Sequence, residues 1–344
     1  MSLVHDGNRR DFLRQLGIAS LGTLGLGCPR SMEEKRIQGT ALETLKQLHH
    51  DLAEVARQNL NPVEDVAAFY HFRSRELFLS AGEQHFWRRS HPPGSVIKLV
   101  TAYALLASGW QDETYTCRGH HQDDFGTLRH CWLRRGHGPM RLRTALAMSC
   151  NAWFLEQTQS LSSEAWLSAL QRFVPFTHLD FPRGQRRGFY DVVPLRLTPK
   201  ELREVALGIS PLHQMSAASL LGLVSLIASR GHQQPFAKNT DATFASAQSP
   251  LERHALEPVA EGMLETVRSG TLRGILQGDD VAAKTGTAPK NATSASRALI
   301  VGYFPAQNPA FSFVVIKNTG QGAADAGPPA NALLAAVRRK GILF

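Results

Sequence analysis

The positions of strand and helix patterns along the chain constrain the fold most. Toward the N-terminal end, 65–72 and 76–81 are rich in aromatic and apolar residues around a polar turn, which predicts a strand pair. Toward the C-terminal end, 281–287, 297–304 and 310–317 alternate or run apolar, which predicts an antiparallel meander. Helical patterns lie between these two groups. We therefore expect an α+β domain whose sheet is completed by both ends of the chain.

The segments around and between the strands carry helical periodicity. The predicted helices span 41–59, 95–108, 143–161, 211–230, 256–268 and 330–339. The first follows a capping-box pattern that begins at Thr40 and ends at Glu43. The second is apolar almost all round apart from Lys98, which is typical of a helix in the middle of a domain. The polar stretches 110–143 and 232–255 are expected to form an insertion and a surface loop.

The composition is that of a folded globular protein with a basic surface. The chain has 344 residues, of which 43% are apolar and 19% charged, enough to bury a sizeable core. These values exclude disordered and fibrous proteins, and no uncharged apolar run is long enough for a spanning helix. The formal net charge of +9 indicates an anionic partner or surface. Four cysteines in a chain of this size do not make a disulfide scaffold.

Residues 1–30 have the features of an export signal. Arg9 and Arg10 precede a Phe-Leu pair and a Gly-rich, mildly apolar stretch, a pattern that resembles a twin-arginine signal. Cys28 closes this stretch and looks like a lipoprotein processing site, with the nearby leucine one place further away than usual. We expect export to the periplasm or cell envelope, with membrane attachment only through a lipid on Cys28. The alternative is a short amphipathic helix, which the glycines of this stretch would weaken.

The break at His91-Pro-Pro-Gly94 precedes a serine and a lysine three residues apart, Ser95 and Lys98. That spacing places both side chains on one face at the start of a helix. A serine hydroxyl becomes a good nucleophile only when a base takes its proton. A lysine among apolar neighbours can supply that base, because desolvation lowers its pKa. The Ser95 N–H, at the helix N-terminus, is also free to bind a developing oxyanion.

Two further short motifs can complete such a site. Ser149 and Asn151 are two residues apart, so that the hydroxyl can relay a proton while the amide grips a substrate. The run Lys284-Thr-Gly-Thr287 lies on a predicted strand, where a cation and hydroxyls suit a substrate with a carboxylate. Gly286 lets the backbone of that substrate lie alongside the strand. Taken singly, each motif favours an ordinary helix start, turn or strand end.

In this order and spacing the three motifs resemble those of the penicillin-binding protein transpeptidase domain. Other stretches similar to family signatures are Pro93-Gly94-Ser95, 207–215, Gly262-Met263, Gly270-Thr271, 282–288, 300–305 and Gly320-Gln-Gly322. Cys131-Trp132 and Gly136-His-Gly138 look most like the elongation-type class B enzymes. The resemblance covers about 65–340, which leaves 31–64 as a linker and helix. It implies a penicillin-binding protein/β-lactamase-like fold, an antiparallel sheet with flanking helices and an all-helical subdomain.

The resemblance also implies a reaction, peptidoglycan D,D-transpeptidation, that needs no cofactor. Ser95 would attack the penultimate D-alanyl carbonyl of a stem peptide, with neutral Lys98 as the base. Ser149 would pass the proton to the leaving D-alanine, and the backbone N–H groups of Ser95 and Thr287 would form the oxyanion hole. The peptide and its terminal carboxylate would be held by Asn151, Lys284, Thr285, Gly286 and Thr287. β-Lactams would acylate the same serine and act as inhibitors.

Three related functions remain open at this point. A D,D-carboxypeptidase would use water instead of an amine as the acyl acceptor. A β-lactamase needs a group that hydrolyses the acyl-enzyme quickly. The position of the class A glutamate falls on Gln185, and Asp180 is the acidic residue of 170–190. A non-enzymatic penicillin-binding sensor would acylate without turnover, and we would expect it to need a membrane signalling segment.

Cysteines and histidines cluster in the insertion, where Cys117, His130 and Cys131 are candidate ligands. Thiolates and imidazole suit a structural Zn²⁺, but the spacing does not match a common zinc finger. A periplasmic disulfide between Cys117 and Cys131, or two reduced thiols, are the alternatives. Cys150 is expected only to be buried. The segment is also rich in arginine, but without an aromatic platform or a DNA-binding helix pattern we expect no nucleic-acid partner.

Overall fold

The structure is a computed structural model that describes residues 32–173, 191–192, 194–232, 251–290 and 295–341, with side chains from residue 43 onward. The chain divides into two units, 1–43 and 44–344, and the features below belong to the second unit, apart from the first residues of one helix. In the ranges described, no helix combines the length and apolarity that crossing a bilayer requires. The expected export signal, Cys28 and most of the expected loop 232–255 lie outside the described residues.

Strands are concentrated toward the two ends of the described chain, with helices between them. The elements begin with α1 (Met32–Asn59), β1 (Val66–His71), β2 (Glu76–Ala81), α2 (Glu83–Arg88), β3 (Ser90–His91), a 3₁₀ turn (Gly94–Ile97), α3 (Lys98–Ala107), β4 (Tyr115–Cys117), β5 (His120–Gln122), β6 (Leu128–His130) and β7 (Gly138–Met140). They continue with α4 (Leu142–Ala147), α5 (Asn151–Gln157), a second 3₁₀ turn (Thr158–Ser160), α6 (Ser163–Phe173), α7 (Pro199–Leu207), β8 (Met215–Ser216), α8 (Ala217–Ala228), α9 (Arg253–Arg268), β9 (Ala282–Pro289), β10 (Ser296–Phe304), β11 (Phe311–Lys317) and α10 (Gly322–Arg339).

Both ends of the chain contribute to one five-stranded antiparallel sheet, in the order β2-β1-β11-β10-β9. β1 pairs with β11 along its length, from Val66 opposite Ile316 to His71 opposite Phe311. The predicted strand pair and the predicted meander are therefore confirmed. β9 carries the third motif and, among the described strands, pairs only with β10. Its outer edge can accept an added strand.

The sheet separates two apolar cores because its side chains alternate between the faces. On one face, Leu299 and Val301 pack with helices from the middle of the chain. On the other face, Ala298 and Ile300 pack with α1 and α10. α3 runs through the first core, and its residues from Lys98 to Leu105 are buried, as its apolar circumference predicts. The predicted α+β class is confirmed.

Two predicted helix boundaries are wrong at their N-terminal ends. α1 begins at Met32, so the capping-box pattern at Thr40–Glu43 lies inside the helix. α10 begins at Gly322 and continues through Pro328 and Pro329, where the sequence pattern predicts a start at 330. Pro329 is buried, and packing of this helix against the sheet outweighs the local cost of proline in a helix interior.

The helix predicted at 211–230 begins later, because Ser216 is its true N-cap. The Ser216 side chain accepts the Ser219 N–H, and the helix that follows is α8. Three helices, α2, α6 and α7, have no counterpart in the sequence prediction. α7 did carry a local signal, a capping box formed by Thr198 and Glu201 with proline at the first helical position.

The single helix predicted at 143–161 is interrupted in the middle. α4 ends at Ala147 and α5 begins at Asn151. Between them, Ser149 has a φ of +50°, in the left-handed region that a right-handed helix does not allow. The interruption coincides with the second motif, so the chain leaves the regular helix at the residues predicted to be functional.

Candidate active site

The first motif lies at the junction of the 3₁₀ turn and α3. Ser95 belongs to the turn and Lys98 is the first residue of α3, so the helix predicted from 95 begins as a tighter turn. The Lys98 N–H donates to Ser95 O, which is the i to i+3 bond of that turn. Side chains three residues apart eclipse in a 3₁₀ helix, so the two side chains leave the backbone on the same side. Ser95 is half-buried and Lys98 is completely buried.

The ammonium group of Lys98 reaches the second motif. Its Nζ lies 2.6 Å from Asn151 Oδ1 and 3.0 Å from Ser149 O. The Phe154 ring lies on another side, with its centroid 5.3 Å from Nζ. Burial lowers the pKa of Lys98 to about 8, although nearby cysteine sulfurs act in the opposite direction. A lysine with this pKa is partly neutral at mildly alkaline pH and can accept a proton.

The interruption between α4 and α5 presents Ser149 to both buried lysines. Its carbonyl accepts from Lys98, and its Oγ lies 2.9 Å from Lys284 Nζ. Cys150 is the N-cap of α5, where its Sγ accepts the Trp153 N–H at 3.4 Å. A left-handed backbone at a serine is uncommon and is often found at functional sites. Here it directs the carbonyl and the hydroxyl of one residue toward two different lysines.

The third motif lies along β9, at the edge of the sheet. Lys284 is completely buried, and its Nζ also donates to Thr285 O at 3.0 Å. Burial, followed by the positive charge of Lys98, holds the pKa of Lys284 well below its usual range. Thr287 is exposed, and its hydroxyl accepts the N–H of Gly322 at the start of α10, at 3.1 Å. The strand therefore offers a buried amine at Lys284 and a hydroxyl on the exposed Thr287.

Two glycines allow the first and third motifs to approach to backbone contact. Gly94 has a φ of +56°, and a Cβ at this position would lie 2.7 Å from Thr287 O. A Cβ on Gly286 would lie 3.0 Å from Val96 Cγ2. Ser95 lies between Gly94 and Val96, and is therefore held against this part of β9. The structure brings the eight catalytic and substrate-binding residues predicted from the sequence together in one place.

Thr271 also belongs to this site, although its sequence context predicted no role for it. Its Oγ1 lies 3.0 Å from Thr285 Oγ1, and its N–H donates to Ala147 O at 3.1 Å. It therefore connects the end of α4 to β9. A Cβ on Gly270 would lie 2.3 Å from the same Ala147 O, so glycine is required for this close approach. The Gly270-Thr271 signature was the signal that could have identified it.

A second cluster of reactive side chains lies directly behind the second motif. The Sγ atoms of Cys117, Cys131 and Cys150 and a ring nitrogen of His137 all lie within 4.8 Å of one another. Cys131 Sγ is 3.8 Å from Cys150 Sγ and 3.6 Å from His137 Nδ1. The predicted candidate His130 is exposed and outside the cluster, because strand alternation turns it outward beside the buried Cys131.

The cluster corrects two expectations about the cysteines. Cys117 and Cys131 are free thiols, so the predicted disulfide is not present. Cys150, expected only to be buried, lies among the reactive groups. A hydrogen bond with the Cys150 thiol lowers the pKa of Cys131 despite its burial. Tetrahedral zinc with thiolates at about 2.3 Å separates its sulfur ligands by about 3.8 Å. The two sulfurs of Cys131 and Cys150 are 3.8 Å apart, so this ligand set fits zinc.

Comparison with known proteins agrees with this geometry. The family model described as penicillin binding protein transpeptidase domain matches residues 74–337. Peptidoglycan D,D-transpeptidase PbpA of Mycolicibacterium smegmatis is 28% identical over 279 residues, covering 73% of this chain. The match covers 56% of that relative, so the chain spans little more than half of its length.

Solved structures show the same fold at low sequence identity. PBP2 of Pseudomonas aeruginosa, in complex with WCK 5153, is 18% identical with a TM-score of 0.67, covering 85% of this chain and 76% of that one. PBP2 of Helicobacter pylori, in complex with MreC, is 18% identical with a TM-score of 0.70, covering 87% of this chain and 63% of that one. The family match spans most of the chain, and the fold gathers the three motifs in one site. The chain therefore belongs to the penicillin-binding protein transpeptidase domain family.

Proposed function

We propose that this protein is a peptidoglycan D,D-transpeptidase that forms an acyl-enzyme on Ser95. The observation that carries the proposal is the set of contacts that joins two buried lysines through the second motif. Lys98 Nζ contacts Asn151 Oδ1 and Ser149 O, while Lys284 Nζ contacts Ser149 Oγ. These contacts bring a base, a proton relay and a cation together, and the 3₁₀ turn joins Ser95 to Lys98. Membership of the family and the name of the mycobacterial relative support the same reaction.

Acylation begins when Ser95 Oγ attacks the penultimate D-alanyl carbonyl of a stem peptide. Neutral Lys98 takes the hydroxyl proton, and burial keeps this neutral form available. The bond to the terminal D-alanine then breaks, and its nitrogen receives the proton through the Ser149 hydroxyl, which Lys284 orients. The products are a Ser95 ester and free D-alanine. An amine of a second stem peptide attacks the ester, forms the cross-link and returns the proton to the serine.

Substrate binding is assigned to the edge of β9. The peptide lies along the strand as an added strand, and Gly286 leaves room for its backbone. Lys284, Thr285 and Thr287 hold the terminal carboxylate, and Asn151 holds the peptide from the opposite wall. The backbone N–H groups of Ser95 and Thr287 receive the developing oxyanion. One such donor contributes about 3–4 kcal/mol to the stability of the transition state.

Covalent labelling with a fluorescent penicillin tests the assignment of Ser95. The wild-type protein should bind the label, and the mass of the adduct should map to the peptide that contains Ser95. The Ser95→Ala variant should show no label. Ser108→Ala is the matched control, because Ser108 ends the same helix and its hydroxyl donates to Leu105 O of that helix. Label retained by Ser95→Ala would contradict the proposal.

Turnover of a D-Ala-D-Ala peptide identifies the acyl acceptor. With an added amine, a transpeptidase should yield a peptide–amine product together with released D-alanine. A D,D-carboxypeptidase would release D-alanine but form no such product. Rapid hydrolysis of penicillin would indicate a β-lactamase, and acylation without any turnover would indicate a sensor. Any of these three results would replace the transpeptidase assignment.

We also propose a structural Zn²⁺ held by Cys117, Cys131, His137 and Cys150. Three thiolates and one imidazole form a ligand set that zinc prefers, and four protein ligands leave no open position for substrate chemistry. Cys150 is the residue between Ser149 and Asn151 of the second motif. A metal bound there would therefore hold the second motif in place from behind.

Metal content of the untagged protein, measured by mass spectrometry, tests the zinc proposal. The wild type should contain about one zinc per chain, and His137→Ala should lose it and unfold at a lower temperature. His130→Ala is the matched control, because His130 is exposed and lies outside the cluster. Zinc retained by His137→Ala, or lost equally from His130→Ala, would contradict this ligand set.

The place of action proposed for the protein is the cell envelope, reached by twin-arginine export. The twin arginines Arg9 and Arg10, and Cys28 at the end of the apolar stretch, support this route and a lipid anchor. Replacing both arginines by lysine should leave the protein in the cytoplasm, as fractionation would show. Cys28→Ser should abolish incorporation of labelled fatty acid. Normal export of the double-lysine variant would exclude the twin-arginine route.

A further inference from the structure

The insertion behind the second motif has an outward face that the proposed mechanism does not use. Burial alternates along this part of the chain, as expected for extended backbone. The inward residues are Cys117, Gly119, His121 and Cys131, and all of them are buried. The outward residues are Arg118, His120, His130 and Trp132, and all of them are exposed. Strand alternation therefore places the thiols inside and a basic, aromatic set outside.

Two stretches of this insertion meet in direct backbone contact. A Cβ on Gly119 would lie 1.9 Å from Arg134 O, and a Cβ on Gly136 would lie 2.2 Å from Cys117 O. Both glycines have positive φ, +88° and +83°. A side chain at either position would therefore clash with the neighbouring backbone and would also strain its own. Because 117–119 and 134–136 are in contact, Arg118 lies beside Arg134 and Arg135. The three arginines are exposed.

Arg118, Arg134 and Arg135 place three positive charges on one part of the surface. Within the part of the chain that the structure describes, Arg118, Arg134 and Arg135 form no ion pair with a carboxylate. By contrast, Arg129 of the same insertion pairs with Glu204 at 2.7 Å. A concentrated positive charge of this kind attracts an anionic partner.

Trp132 connects this surface to the active site. Its Nε1 donates to Met148 O at 2.8 Å, immediately before Ser149 in the chain. Its ring packs edge-on against His137, with the centroids 5.1 Å apart. The side chain is nevertheless 57% exposed. The indole is therefore held in place at its nitrogen while much of its ring faces solvent, next to the second motif.

We propose that Arg118, Trp132, Arg134 and Arg135, together the arginine surface, dock the acidic stem peptides of a peptidoglycan strand. Guanidinium groups bind carboxylates through paired hydrogen bonds, and an indole face covers apolar parts of a peptide or sugar. The inference rests on the proposed function, which supplies a substrate with carboxylates beside the second motif. A small β-lactam lacks the peptide chain that this surface would hold, so docking and acylation can be measured separately.

Co-sedimentation with purified peptidoglycan sacculi tests the arginine surface. The triple variant Arg118→Ala/Arg134→Ala/Arg135→Ala should bind sacculi about tenfold more weakly than wild type at about 50 mM NaCl. The control Arg57→Ala/Arg73→Ala/Arg88→Ala removes the same charge from exposed arginines outside the insertion and should bind as wild type does. The variant Arg118→Lys/Arg134→Lys/Arg135→Lys keeps the positive charges and should retain most of the binding. Raising NaCl to about 300 mM should weaken wild-type binding.

Labelling with fluorescent penicillin is the second readout, and all three triple variants should label at the wild-type rate. Sacculus binding unchanged in the alanine variant, or equally weakened in the control, would overturn the inference. So would wild-type binding that does not respond to salt. If the alanine variant loses binding to anionic phospholipid vesicles but still binds sacculi, the surface docks on a membrane, and the proposal is overturned. Failure of the wild type to label would instead overturn the proposed function.

Discussion

At the scale of single residues, the site depends on two amines that are kept away from water and from acids. Lys98 contacts an amide oxygen and a carbonyl, and Lys284 contacts a hydroxyl and a carbonyl. Within the described residues neither lysine forms an ion pair with a carboxylate. Neutral acceptors compensate a buried charge only in part, so burial favours the uncharged amine. In the proposed mechanism, the fold thereby supplies a base without a histidine.

The pH dependence of acylation should follow the titration of Lys98. Burial lowers its pKa to about 8, and only the neutral amine can take the Ser95 proton. The rate of penicillin acylation should therefore rise about tenfold per pH unit below this value and level off above about pH 9. Stopped-flow labelling between about pH 5.5 and pH 9.5 measures this profile. A rate that is flat between pH 6 and pH 8 would show that another group supplies the base.

Thr271 is a positioning residue whose hydroxyl orients Thr285. Replacing Thr271 by valine keeps the shape and removes the 3.0 Å contact between the two hydroxyls. Penicillin acylation should slow about three- to tenfold, the cost of one hydrogen bond, with little change in melting temperature. Thr271→Ser should restore the rate because it retains the hydroxyl. A serine variant as slow as the valine variant would assign Thr271 to packing alone.

At the scale of elements, the functional groups are found where regular structure stops or reaches an edge. Ser95 lies in a 3₁₀ turn before α3, Ser149 in the gap between α4 and α5, and Lys284 on the edge strand β9. Glycines without a side chain allow these three pieces to approach closely. The geometry of the site therefore depends on element ends as much as on the side chains that carry the chemistry.

Gly94→Ala tests the contact between the 3₁₀ turn and β9. A Cβ at 94 would lie 2.7 Å from Thr287 O, and the residue has a φ of +56°. The free energy of unfolding should fall by more than about 1 kcal/mol, and acylation should slow at least about tenfold. Gly109→Ala is the control, because Gly109 has a φ of +81° but no atom within 4 Å of its Cβ position.

The control variant should lose only about 1 kcal/mol of unfolding free energy and acylate at the wild-type rate. Urea unfolding and penicillin labelling of both variants measure the two effects separately. Equal acylation rates for Gly94→Ala and Gly109→Ala would show that the close approach of turn and strand does not matter for the reaction.

Most regular helices and strands were predictable from the sequence. The gap between α4 and α5 and the histidine of the thiol cluster were not. The meander and α3 have strong apolar patterns, because their periodicity reflects which face is buried. The gap at Ser149 has no such signal, since its left-handed backbone is held by contacts with Lys98 and Lys284, distant in sequence. His137 replaces His130 in the thiol cluster because the direction of each side chain depends on the strand pairing of the insertion.

At the scale of the whole molecule, the sheet brings together residues about 250 positions apart. Phe69 of β1 lies opposite Phe313 of β11, and their rings stack with centroids 5.7 Å apart. The sheet cannot close until nearly all of the chain has been made, because β11 separates β1 from the strand that carries Lys284. The site therefore forms only once strands from both ends of the described chain have paired.

Removing the Phe313 ring should therefore affect the whole molecule. Phe69 and Phe313 are both fully buried, so Phe313→Ala should lower the free energy of unfolding by about 3–5 kcal/mol. Phe125→Ala should change it by less than about 1 kcal/mol, since that side chain is 46% exposed. Because the two rings stack, Phe69→Ala/Phe313→Ala should cost less than the sum of the single variants. Urea unfolding of the wild type, the three single variants and the double variant measures these differences, and strict additivity would show that the two chain ends are stabilised independently.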